Sequence, residues 1–175
     1  MKRYSPSAFL LKEKRYNVDR NYQKNEEMEE LHLFNRSISI SVRSKDKDTL
    51  TVEGTFIDTH HELCLTLEVD IKTRTITTAT GELRRAPHTD CAETQKRIQK
   101  LVGINLNKNV RRQVQAAVGL KEGCTHITDL TLECVKSLMQ ASYQLMHLTM
   151  GEEQVNEIVE KYLEGSCFHY NKGAV

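Results

Sequence analysis

From Ile38 to Ala79 the apolar residues recur at every second position, and after Pro87 they recur at every third or fourth. A period of two belongs to strands with one buried face, and a period near 3.6 belongs to helices. The chain therefore divides into a sheet half followed by a helical half. Ile38, Ile40 and Val42 alternate with Ser39, Ser41 and Arg43, and Leu50, Val52, Gly54 and Phe56 alternate with Thr51, Glu53 and Thr55. The third run is the clearest, with Leu63, Leu65, Leu67, Val69 and Ile71 set against Cys64, Thr66, Glu68 and Asp70. Residues 75–79 return after the turn-like Lys72-Thr73-Arg74. This patterning predicts an antiparallel four-stranded sheet over about residues 31–82 with one face buried.

The helical half is punctuated by glycines. Asp90 with Glu93 reads as a capped start, Ile98, Leu101 and Val102 as an apolar stripe, and Gly103 as its end. A second helix is expected over residues 107–118, stopped by Gly119. The longest begins near Gly123-Cys124 and carries Ile127, Leu130, Cys134, Leu138, Ala141, Leu145 and Leu148 on one stripe. Gly151 breaks it, and Val155, Ile158, Val159 and Leu163 mark a last helix before Gly165. Strands first and helices after give an α+β class, with three or four helices packed on one face of the sheet.

Length sets the domain count. A chain of 175 residues with 38% hydrophobic residues can bury one modest core. We expect a polar basic arm at residues 1–30, partly ordered or docking, then a single domain over 31–170 and a short tail at 171–175. No segment approaches the ~20 apolar residues of a membrane helix, and Ala8-Phe9-Leu10-Leu11 is too short for a secretory core. Five cysteines, an odd number, argue against a secreted disulfide framework. The expectation is a cytoplasmic protein.

Charge narrows the partners. The net charge is +1, so no global field draws the chain to nucleic acid or membrane. Residues 84–121 nonetheless hold nine Lys/Arg against Asp90 and Glu93. Arg84, Arg85, Arg111 and Arg112 could present a basic face to a small anion or an acidic protein partner, and self-association is open. No aromatic residue is interleaved with these bases, which disfavours a single-strand nucleic-acid platform.

Three segments at element boundaries hold most of the candidate chemistry: Pro87-His88-Thr89-Asp90-Cys91, Gly123-Cys124-Thr125-His126 and Ser166-Cys167-Phe168-His169. A thiol at the start of a long helix meets unpaired N–H groups and the positive end of the dipole, which favour the thiolate. Cys124 with His126 could ligate zinc, since thiolate and neutral imidazole are its donors. Cys91 and Cys167 would complete a set of three thiolates and one imidazole, with His88 and His169 as alternates. The same pair could instead be nucleophile and base of a thiol enzyme. Cys134 and Cys64 read as packing residues. Glu53, Asp58 and Glu62 near His60-His61 form a polar cluster that a hairpin loop explains more cheaply than acid–base work. No Walker loop, G-x-G-x-x-G, G-x-S-x-G or H-E-x-x-H occurs.

Residues 123–130, Gly-Cys-Thr-His-Ile-Thr-Asp-Leu, resemble the GCTHL-x-EL signature of a bacterial family catalogued as a domain of unknown function, DUF family 2889. The resemblance takes in Val52-Glu53-Gly54 with Asp58, Pro87 to Cys91, Leu101-Val102-Gly103 and the late Cys167, roughly residues 36–170. Ile127 and Asp129 stand where the signature has Leu and Glu. The resemblance implies a bacterial protein and supplies no activity. A fainter likeness is to iron–sulfur scaffold proteins of the IscU type, which also start a long helix with Gly-Cys beyond a small sheet. The sequence thus reads as a non-enzymatic metal-binding module, for zinc or an iron–sulfur cluster. A Cys–His thiol enzyme and an interaction module with structural cysteines are the rivals.

Overall fold

The computed structural model of the chain describes residues 31–171. The arm expected over residues 1–30 and the tail beyond residue 171 lie outside the described residues. One compact unit runs from Phe34 onward.

Four strands form an antiparallel meander in the order β1 (Arg36–Ser44), β2 (Thr49–Asp58), β3 (Glu62–Asp70) and β4 (Thr75–Arg85). The alternation translates directly into burial: on β3 the residues Leu63, Leu65, Leu67 and Val69 are buried and each neighbour between them is partly exposed. On β2 the inward series is Leu50, Val52, Gly54, Phe56 and Asp58. Register pairs Val52 with Val42 on β1 and with Leu67 on β3, so the inward residues form continuous rows across the sheet.

The helical half covers that inner face. A 3-10 helix (Thr89–Leu101) precedes α1 (Val110–Val118), α2 (Thr125–Thr149) and α3 (Glu152–Leu163). The first of these differs from the expected capped α-helix. His88 is its N-cap with no side-chain capping bond, and Ile98 and Leu101 are its buried residues against β4. α2 crosses β1 and β2 through Ile127, Leu130, Cys134 and Leu138. Gly54 permits the approach, because a Cβ there would stand 2.7 Å from the Cys134 Sγ and 2.9 Å from the Leu130 Cδ1. The expected stripe continues to Leu148, but that residue is 83% exposed. Beyond Leu138 the helix is only partly buried, with Leu145 against the core and Tyr143 edge-on to Tyr162 of α3, and its last turn is exposed. Among the described residues no helix is long and apolar enough to cross a membrane.

Candidate metal centre

Two chain reversals converge at one end of the sheet. The first is the turn from β2 to β3. Asp58 ends β2 at an inward position and its side chain is 2% exposed. Its Oδ1 accepts the backbone N–H groups of His60 (2.9 Å) and His61 (2.7 Å) and lies 3.0 Å from the His61 Nδ1. Burial alone would raise the Asp58 pKa, but the bonds from His60 and His61 outweigh it and hold the carboxyl well below the ordinary carboxylate range. Arg85 clamps the outside of the turn, donating to the carbonyls of Thr59 (2.8 Å), Asp58 (2.9 Å) and His61 (3.3 Å).

The second reversal is the entry to α2. Gly123 lies so close to the end of α1 that a Cβ there would be 2.0 Å from the Val118 carbonyl oxygen. That close approach lets the Cys124 N–H donate to the same oxygen at 2.8 Å. Cys124 is the N-cap in extended conformation, and its thiol makes no capping bond. It faces His126 instead, with Sγ 3.7 Å from Nδ1.

His126 joins the two reversals. Its Nε2 lies 3.8 Å from the Asp58 Oδ2. Its ring stacks on His61 at 3.8 Å between centroids, and Phe56 meets it edge-on at 5.1 Å. Burial lowers the His126 pKa, with the His61 and Arg36 charges adding to it and Asp58 and Asp129 opposing. One donor atom each from Asp58, His61 and His126 fall within 4.8 Å of one another. A buried carboxylate with two imidazoles is a set that can hold a borderline divalent ion.

Of the residues anticipated from sequence, the structure brings Cys124 and His126 together. Cys91 sits in the 3-10 helix and Cys167 is exposed beyond α3. Among the described residues no group of three potential ligands includes Cys91, Cys124, Cys167, His88 or His169. Cys134 is buried in the core and its thiol is pushed up to about 12 by that burial. Cys64 is partly exposed on the open face of β3, where its Sγ lies 3.9 Å from the Thr55 hydroxyl. Of the four arginines, Arg85 is committed to the turn, Arg84 pairs with Glu82 and Glu62, and Arg111 and Arg112 are exposed on α1.

Asp58 and His61 were hidden by a plausible alternative, since a polar hairpin needs no further role. The signal that could have found them is the alternation itself. It places Asp58 on the same face as Val52 and Phe56, and a carboxylate at an inward position demands partners.

No curated protein and no solved structure matches the chain. The model of one family does match, over residues 34–140, which takes in the whole sheet, both reversals and the first part of α2. With more than half its length so matched, the chain belongs to the DUF2889 family, described as protein of unknown function.

Proposed function

We propose that the protein binds one divalent transition-metal ion, zinc or iron(II), through Asp58, His61 and His126. The observation that carries this reading is the gathering of their donor atoms within 4.8 Å around a buried carboxylate. Metal–ligand distances of about 2.0–2.1 Å put tetrahedral donors about 3.3 Å apart. The 3.8 Å between His126 Nε2 and Asp58 Oδ2, the carboxylate oxygen left free by the turn, is close to that spacing, and one donor atom from each of the three residues lies within 4.8 Å of the others. Cys124 then serves from outside the ligand set. An Nδ1–H of His126 donating to the thiol leaves the Nε2 lone pair turned toward Asp58, and a partner of this kind on the other ring nitrogen orients a ligating histidine. An iron–sulfur cluster is less well supported, because a single thiol stands beside the centre.

Elemental analysis of protein purified without chelator tests this. The expected result is about one equivalent of metal in the wild type, lost in Asp58→Asn and His126→Gln and kept in Cys91→Ser and Cys167→Ser. Metal that survives Asp58→Asn but disappears with Cys91→Ser would move the site to the cysteines.

A second reading rests on a separate feature of the same residues. Cys124 Sγ, His126 and Asp58 Oδ2 stand in line at 3.7 and 3.8 Å, the order of nucleophile, base and orienting carboxylate. Cys124 is also the N-cap of a 25-residue helix, at the positive end of its dipole. In chelator-treated protein this reading expects Cys124 to be alkylated faster than the exposed Cys167, and His126→Gln to slow Cys124 about tenfold. Cys134 stays unmodified until the protein unfolds, as its burial and raised pKa require. If Cys124 reacts no faster than Cys167 and is indifferent to His126, the thiol reading fails.

A further inference from the structure

Asp58 has one carboxylate oxygen, Oδ2, that the β2–β3 turn does not use. Two groups face it: His126 at 3.8 Å and the guanidinium of Arg36 at 3.5 Å. Arg36 and Asp58 are register partners on β1 and β2, so the backbone itself sets the arginine opposite the carboxylate. The contact is nevertheless loose. Along the same pair of strands, Arg43 grips Glu53 with two bonds of 2.7 and 2.8 Å. Arg36 instead spreads its guanidinium over the rings of Phe56 (4.8 Å) and Phe34 (5.3 Å) and keeps 39% of its side chain exposed.

Arg36 also lines a cleft of about 180 Å³ between β1, α1 and α2, whose charged wall residues are Arg111, Asp129, Glu133 and Lys136. Glu133 is already paired with Lys136 at 2.6 Å. Asp129 has no ion-pair partner among the described residues, and it stands one turn along α2 from His126. Asp129, which acts on His126 through its charge, is thus a carboxylate without a salt bridge on the wall of a cleft that Arg36 shares.

We infer that Arg36 is the residue that sets the ion affinity of this centre: it competes with the ion for Asp58 Oδ2 and withdraws toward Asp129 when the ion binds. The inference rests on the metal reading above. A dication on Oδ2 and a guanidinium 3.5 Å from that oxygen are like charges in a partly buried setting, where repulsion is large enough to weaken binding tenfold or more. Asp129 relieves part of that cost by giving the displaced guanidinium a counter-charge.

Zinc titration of metal-free, full-length protein by calorimetry tests both halves. Arg36→Met keeps the bulk over the phenylalanines and removes the charge, and it is expected to tighten zinc binding about tenfold or more, while Arg36→Lys stays near wild type. Asp129→Asn is expected to weaken binding severalfold in the wild-type background and to have no effect in Arg36→Met. If Arg36→Met binds zinc no more tightly than wild type, Arg36 is not a competitor and the inference falls. If Asp129→Asn weakens binding equally in both backgrounds, Asp129 acts on the ion directly and the withdrawal is wrong. Should neither wild type nor Arg36→Met bind zinc at all, the metal reading fails and takes this inference with it.

Discussion

Gly123→Ala unfolds the chain at urea concentrations well below those the natural sequence withstands. The added Cβ would stand 2.0 Å from the Val118 carbonyl oxygen, 2.3 Å from its carbon and 2.5 Å from the Gly119 oxygen. These are backbone atoms, so no rotamer change relieves the clash. The two chain segments must separate, which breaks the Cys124 N–H to Val118 bond and shifts the start of α2. Overpacking against fixed atoms costs about 3 kcal/mol or more. Gly151→Ala is the control, because a Cβ there meets nothing within 4 Å and φ is −68°. That change is expected to stay within about 1 kcal/mol, the range of an N-cap substitution. Equal urea midpoints for Gly123→Ala and wild type would refute the close packing at this entry.

Asp58→Asn is expected to lose the ion and to cost about 2 kcal/mol of stability in the metal-free protein at neutral pH. The figure is that of hydrogen bonds to a charged acceptor, here supplied by His60 and His61. The pH dependence fixes the sign. A carboxyl whose folded pKa is depressed contributes stability that is complete above its unfolded pKa, about 3.9, and drains away as pH falls toward the folded value. Wild type and Asp58→Asn should therefore differ most near neutrality and converge in acid. A gap in urea midpoint that stays constant from neutral pH down past pH ~3 would mean that the charge of Asp58 contributes nothing to folding.

The sheet was legible because burial on one face leaves a period of two that needs no context. Gly54 and Asp58 interrupt the apolar series on β2, and each interruption has a tertiary cause: one admits α2, the other receives the turn and His126. Pattern alone cannot tell where such a cause lies. The same holds for α2, whose apolar spacing runs on to Leu148 although that residue is exposed. Asp90 and Glu93 have the spacing of a capping box, but the chain takes 3-10 turns there without using it. The Gly-Cys-x-His segment stood out from its own chemistry. Its partners Asp58 and His61 are more than sixty positions away in sequence, and only the packing of α2 across β1 and β2 brings them to it.

The family match stops at residue 140, inside α2, two positions beyond Leu138, the last buried residue of that helix. The family match and the fully buried stretch of α2 therefore run out almost together, while the helix continues without a break to Thr149 and Val155 of α3 is buried beyond it. At about 1.5 Å per residue α2 is a rod of about 37 Å, rooted in the sheet at one end and flanked by α3 toward the other, where Tyr143 meets Tyr162. The far end, beyond residue 140, lies outside the family match, so the root with Cys124 and His126 is the part of this rod that belongs to the shared domain.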